Sequence, residues 1–256
     1  MATPPERTLL ARPSARGAAL ERVRVALAAH AGIAPHPWRL ADRAAERARA
    51  RGTPLDEYAA ALDGAEVEAL FEQLRVAHSG FFRGPAEFIR IGEWVAGRPG
   101  ARVWCAGVGD GQEAFSLVAL APHVQVLGTD LSRRAIAHAR QGAYPREALE
   151  GVPAALRARF LDGAEISGDR VRLPDRLRGR VTFEVRNLLG PAPAGRFELI
   201  VCRNVLYHLD GRARATALER LAGALSAGGR LWVGERVEQP MLERLGSGLY
   251  ARLGGP

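Results

Sequence analysis

Between Arg102 and Asp130 the chain reads RVWCAGVGDGQEAFSLVALAPHVQVLGTD: apolar run, glycine-rich turn, helical run, second apolar run, acidic residue. Val103 to Ala106 is a strand candidate, and Gly107, Gly109 and Gly111 then allow a tight turn that can approach a ligand where a Cβ would intrude. Glu113 to Leu120 is predicted as a helix whose N-terminus points at that ligand, and Val124 to Gly128 as the next strand. Asp130 falls at the carboxyl end of this strand, about 20 residues past the turn, where a carboxylate can accept hydrogen bonds from both hydroxyls of a ribose. Together these pieces form one half of a nucleotide-binding α/β sheet.

Spacing alone does not separate a dinucleotide from S-adenosylmethionine. The charge of the turn does, because a pyrophosphate binds bare N–H groups at a helix N-terminus and is repelled by carboxylates. Asp110 and Glu113 crowd this turn and suit a ligand carrying an ammonium and a sulfonium. A phosphate-cradling P-loop is excluded, since the chain contains no lysine.

At 256 residues the chain has room for one α/β domain and a small accessory domain. Residues 1–14, rich in Pro and Arg, are expected to be a disordered tail. Residues 15–78 read as a helical domain. Its helices are predicted from Ala18 to Ala31, from Trp38 to Arg51, from a Thr53 cap with Pro54 at the first position, and from Glu66 to Ala77. In the second helix Arg39, Arg43, Arg47 and Arg51 recur every four residues and lay a basic stripe along one face, which Asp42 and Glu46 neutralise in part. Such a stripe is either a solvated face or a docking surface for an acidic helix.

Residues 79–256 form the second predicted domain. Pro85 opens a helix before the first strand, and Ser132 caps one ending at Gln141. Residues 142–180 break the alternation of helix and strand and read as a small insertion of short extended runs. The sheet resumes with Val181–Val185 and Phe197–Cys202, followed by a helix from Ala213 to Leu225, a strand in AGGRLWVGE and a last short strand within Gly248–Leu253.

The net charge is +8 at a pI near 10.7, but every basic residue is arginine, interspersed with acids, so nucleic acid is not expected as a partner. Cys105 and Cys202 lie in apolar runs and read as reduced core residues of a cytoplasmic protein. No metal-ligand spacing occurs among cysteines and histidines. No apolar run approaches the roughly 18 residues of a membrane span, so membrane insertion is not expected.

With SGFFR at 79–83, WCAGVGDGQEAFS at 104–116, GTD at 128–130, RNLL at 186–189 and CRNVLYHLD at 202–210, the chain resembles the CheR family of chemotaxis-receptor glutamate methyltransferases. The resemblance runs from about Glu21 to Leu253. It implies a class I S-adenosylmethionine-dependent methyltransferase, with a Rossmann-like α/β sheet, a small N-terminal helical domain and a small inserted β-subdomain. By motif, Ser79 and Arg83 would contact the cofactor, with Arg83 near the reacting methyl. Glu113 would take the methionyl end and Asp130 the ribose, with Gly107, Gly109 and Gly111 as the turn. Asn187 and Leu188 would border the adenine, and Arg203 and Asn204 would close the pocket.

A family tyrosine near the methyl is matched by His208, with Tyr207 one position away; with Arg83 these are the candidate catalytic residues. Ala77 stands where the family has asparagine, and GERVE at 234–238 where it has GHSE. The implied substrate is glutamate on a chemoreceptor or receptor-like helical signalling protein, docked by Arg39, Arg43, Arg47 and Arg51. The insertion resembles a subdomain that in some members holds a receptor's C-terminal peptide, and a monomer is the simplest expectation. Two other readings stay open: a methyltransferase for RNA or a small molecule, and a catalytically weak S-adenosylmethionine-binding scaffold.

Overall fold

The computed structural model describes residues 14–75 and 80–254. Residues 1–13 of the expected tail and the positions Ala77 and Ser79 lie outside the described residues. The chain divides after Arg75 into two compact units, residues 31–33 belonging with the second.

Among the described residues the first unit holds four helices, α1 (Ala15–Ala31), α2 (Pro37–Ala50), α3 (Leu55–Ala60) and α4 (Gly64–Leu74). Ser14 caps α1, its hydroxyl accepting from the Gly17 N–H at 3.2 Å, and the Asp63 carboxylate caps α4, accepting from the Glu66 N–H at 2.7 Å. On α2, Leu40, Ala44 and Ala48 recur every four residues and are buried with Val23, Leu27, Leu70 and Phe71. The predicted Thr53 cap is not made. Pro54 occupies the N-cap position of α3, and the buried Thr53 hydroxyl finds no hydrogen-bond partner among the described residues.

The second unit is an α/β sandwich. Helix α5 (Pro85–Ala96) precedes β1 (Arg102–Ala106), α6 (Gln112–Leu120), β2 (Gln125–Asp130) and α7 (Arg133–Gln141). After an insertion come β6 (Val181–Val185), β7 (Phe197–Val201), α10 (Gly211–Ala224), β8 (Leu225–Trp232), β9 (Leu242–Gly246) and β10 (Leu249–Arg252). The seven strands run in the order β6-β2-β1-β7-β8-β10-β9, parallel from β6 to β8 and antiparallel in the last two. Val103 and Cys105 face one core layer with Phe88, Phe115 and Ile136, while Trp104 and Ala106 face the other with Leu218, Leu221 and Leu231. A strand buried on both faces carries apolar residues at every position, which explains the unbroken VWCA. The strand order reverses between β1 and β7, and there the carboxyl ends of the strands open a crevice.

Two details differ from the sequence reading. Strand β9 was not foreseen, because LERLG is exposed over most of its length and lacks β-branched residues; it forms by pairing with β10. The helix expected from Ala213 begins at Gly211, with the Asp210 carboxylate accepting from the Ala213 N–H at 2.8 Å.

The insertion contains β3 (Ala143–Pro145), α8 (Ala154–Leu161), β4 (Glu165–Ser167), β5 (Arg170–Arg172) and α9 (Asp175–Arg178). Its three strands form a separate antiparallel sheet in the order β3-β5-β4. Gly168, at φ +58, makes the turn between β4 and β5, a conformation that favours glycine over residues with a Cβ.

Candidate functional site

The glycine turn closes the gap between β1 and α6. Gly107, Gly109 and Gly111 have φ of +72, +56 and +91. At Gly107 an added Cβ would lie 2.3 Å from Val205 Cγ2, so the backbone passes where a side chain cannot. The N–H groups of Gly107 and Val108 donate to the Thr129 carbonyl at 2.7 and 2.9 Å, continuing the β1–β2 ladder into the turn.

Asp130 ends β2 and ties the two strand ends together. Its carboxylate accepts from the Gly109 N–H at 2.9 Å and from the Ser132 N–H at 2.9 Å, one on each oxygen. Ser132 in turn caps α7, accepting from the Ala135 N–H at 2.9 Å.

Glu113 lies in the first turn of α6, its side chain 14% exposed. Arg203 Nη1 donates to its Oε1 at 2.6 Å and to the Arg83 carbonyl at 2.8 Å, and the guanidinium stacks over Trp232 at 4.2 Å from the ring centroid. Burial pushes the Glu113 carboxyl above the usual 4.5, while the charges of Arg203 and Arg83 and the Arg203 hydrogen bond oppose that rise. Arg83 itself is exposed. Arg203 thus ties together residues 90 and 120 positions away in the chain.

The segments bearing these groups hold uncommon backbone conformations. Phe82 and Asn204 are non-glycine residues at φ +50 and +58. The Phe82 N–H donates to the buried Ser116 hydroxyl at 3.0 Å, and its ring packs edge-on against Phe88 and Phe160. Such strain persists only where the surroundings enforce it. Asn187 accepts from the Leu189 N–H at 2.9 Å, closing the loop after β6, with half-buried Leu188 between them. Tyr207 is half exposed and lies beside His208, ring centroids 4.1 Å apart, on a short 3-10 turn after Asn204.

Cys105 and Cys202 belong to different core layers, and burial pushes both thiols upward and holds them protonated. In the helical unit the basic stripe has an internal partner that sequence reasoning missed. The buried Glu66 receives Arg47 through both Nε and Nη2, Arg51 Nη2 at 2.5 Å and the Tyr58 hydroxyl at 2.9 Å. Arg43 pairs with Glu46 at 2.5 Å, and Arg39 donates to the Leu74 carbonyl at 3.3 Å.

Gln112 is a further candidate that sequence reasoning passed over. It is 7% exposed at the start of α6, and its side-chain oxygen has no hydrogen-bond partner among the described residues. An orphaned acceptor, a turn whose backbone at Gly107 leaves no room for a Cβ, a carboxylate at the end of β2 and a buried carboxylate form a set suited to a ligand with an ammonium and a ribose. They fit S-adenosylmethionine.

The fold and this site define a class I S-adenosylmethionine-dependent methyltransferase domain. Residues 77–243 match the CheR methyltransferase SAM binding domain, and the chain belongs to that family. It is 36% identical over 149 residues to a probable chemotaxis protein methyltransferase of Rhizobium etli, covering 53% of this chain and 56% of the relative. It is 33% identical over 144 residues to chemotaxis protein methyltransferase 2 of Pseudomonas aeruginosa, covering 52% and 51%. A probable biofilm formation methyltransferase, WspC, of Pseudomonas putida is 30% identical over 199 residues, covering 71% of this chain and 46% of that one. The chain spans about half the length of these relatives. Among solved structures, a SAM-dependent methyltransferase from Geobacter sulfurreducens in complex with S-adenosyl-L-homocysteine is 22% identical with a TM-score of 0.41, over 62% of this chain and 51% of that chain.

Proposed function

We propose that this chain transfers the methyl group of S-adenosylmethionine to glutamate side chains of a chemoreceptor or receptor-like helical signalling protein. The observation that carries the reading is the Glu113–Arg203–Arg83 constellation, a buried carboxylate under two cations at the mouth of the crevice. The names of the relatives, two chemotaxis methyltransferases and one biofilm methyltransferase, support the substrate class.

When bound, S-adenosylmethionine supplies an electrophilic methyl and a neutral thioether leaving group. A glutamate side chain has a pKa of about 4.3 and is already nucleophilic at neutral pH, so the site needs no general base. Its task is to orient, to exclude water and to keep its own charges in place. Glu113 binds the ammonium, and Arg203 keeps Glu113 ionised despite its burial. Asp130 takes the ribose hydroxyls, with Gly107, Gly109 and Gly111 beneath the ligand. Asn187 and Leu188 border the adenine, and Asn204 completes the pocket. Arg83, exposed at the mouth, meets the substrate carboxylate loosely, since a tight ground-state pair would blunt its attack. Tyr207 and His208 form the wall near the methyl.

The α2 stripe serves as the docking face. Arg47 and Arg51 together outweigh Glu66 by one charge, and Arg43 and Arg51 keep 41% and 46% of their side-chain surface exposed. Trp38, 64% exposed, adds an aromatic anchor one residue before Arg39.

The test is incubation of the purified protein with methyl-labelled S-adenosylmethionine and a receptor cytoplasmic fragment. Base-labile label that disappears when the receptor's target glutamates are changed to alanine supports the reading. Tight S-adenosylhomocysteine binding with no label on any receptor fragment sinks it and leaves a binding scaffold.

A further inference from the structure

The inserted three-stranded sheet reaches the glycine turn directly. Tyr144, the central residue of β3, is fully buried, and its hydroxyl donates to the Asp110 carbonyl at 2.5 Å. Asp110 sits between Gly109 and Gly111, both at positive φ. An added Cβ on Gly111 would lie 3.2 Å from the Tyr144 hydroxyl, so the ring and the turn are packed against each other as well as hydrogen-bonded. His138 of α7 adds a second contact from the same side, its Nδ1 3.7 Å from the Asp110 carboxylate and its ring beside Tyr144.

Tyr144 is itself held from several directions. Its ring meets Phe81 edge-on at 5.0 Å and Phe115 at 6.3 Å, and Phe81 in turn meets Phe160 of α8 at 5.2 Å. Phe81 belongs to the segment that ends in Arg83, and Phe115 lies two residues beyond Glu113. One aromatic cluster therefore joins the insertion to both sides of the crevice. A turn of three glycines has low intrinsic order, because glycine loses the most conformational freedom on folding. The polar pin on the Asp110 carbonyl comes from outside the β1–α6 unit.

We propose that Tyr144 is a positioning residue for the cofactor, its hydroxyl holding the Asp110 carbonyl and so fixing the turn on which S-adenosylmethionine is bound. The proposal rests on the cofactor reading of the site. Through Tyr144, the ordering of the inserted sheet sets cofactor affinity, while the reacting groups Arg83, Tyr207 and His208 stay untouched.

The test is Tyr144→Phe, which keeps the ring and removes the hydroxyl, with Phe160→Leu as a control that loosens the same cluster and leaves the hydroxyl. Two measurements separate this inference from the cofactor reading. In the ligand-free protein, amide hydrogen exchange across residues 107–111 is expected to quicken about tenfold in Tyr144→Phe and to change little in Phe160→Leu. By calorimetry, S-adenosylhomocysteine is expected to bind about tenfold more weakly to Tyr144→Phe, with kcat at saturating S-adenosylmethionine within about twofold of the unmodified protein. Unchanged exchange in the turn, unchanged affinity, or an equal loss in Phe160→Leu overturns the proposal. Failure of the unmodified protein to bind S-adenosylhomocysteine instead overturns the cofactor reading, and the role of Tyr144 in cofactor binding falls with it.

Discussion

Replacing Arg203 with methionine removes the guanidinium and keeps a flexible stem over Trp232. The pair it breaks is well buried, with side-chain exposures of 12% for Arg203 and 14% for Glu113. Stranding one partner of a buried pair typically costs about 3–5 kcal/mol. Glu113 can relieve part of that by taking a proton, which places the expected loss near the lower bound, about 3 kcal/mol at pH of about 8. The sign with pH follows from the direction of the shift. Burial holds the Glu113 carboxyl above the usual 4.5, and Arg203 opposes the rise, so the variant's carboxyl lies higher still. Between 4.5 and that raised value the folded variant holds a proton that the unfolded chain has released, so its stability falls as pH rises. Below 4.5 the carboxyl is neutral in both proteins and the charge contribution vanishes. What remains is the Arg83 carbonyl bond and part of the Trp232 contact, about 1 kcal/mol. Urea unfolding of both proteins at several pH values measures the difference, and adding Glu113→Gln to the variant is expected to restore most of it. A deficit that stays level with pH, or grows toward acid, refutes the assignment of Arg203 as the partner that keeps Glu113 charged.

Asp130→Ala is expected to weaken S-adenosylhomocysteine binding by at least about 100-fold in calorimetry, since it removes the ribose acceptor and releases the Gly109 and Ser132 N–H groups. Gly107→Ala is expected to lower stability by roughly 2–4 kcal/mol in urea unfolding, from overpacking and from its φ. The Cβ meets Val205 at 2.3 Å with φ at +72, so adding Val205→Ala recovers the steric part alone. In the helical unit Arg47, helped by Tyr58 and Arg51, lowers the Glu66 carboxyl from 4.5 to about 2 against its burial. Its stabilising contribution is complete above 4.5 and is lost as pH falls toward about 2. Glu66→Gln is expected to lower neutral-pH stability by about 3 kcal/mol and to flatten that acid limb in urea unfolding across pH.

The parts of the molecule that were legible in the sequence are those whose signals lie among near neighbours. The β1–turn–α6–β2 unit announces itself through an apolar run, three glycines and an acid in register. Val181–Val185 was located to the residue, because VTFEV is too short for a helix and rich in β-branched and aromatic residues. Boundaries failed where two signals competed, as at Thr53 and Pro54, where a favourable cap residue precedes a proline and the proline takes the cap position. The basic stripe on α2 was correct as a periodicity but incomplete as chemistry. Its buried partner Glu66 comes from α4, and nothing in the local pattern marks that glutamate as buried.

The sequence by itself determined the β1–turn–α6–β2 unit, with its three glycines and the acid at the end of β2, and the family to which the chain belongs. Each of these depends on backbone conformations and side-chain periodicities that adjacent residues impose. Tertiary structure alone decided that Arg203 spans Glu113, Arg83 and Trp232, that Glu66 gathers Arg47, Arg51 and Tyr58, and that Tyr144 of the insertion pins the Asp110 carbonyl. The physical reason is that a buried charge or hydroxyl without a partner is costly, so each of these groups is paired with whatever the fold brings beside it. That partner is chosen by proximity in space, which no spacing along the chain records.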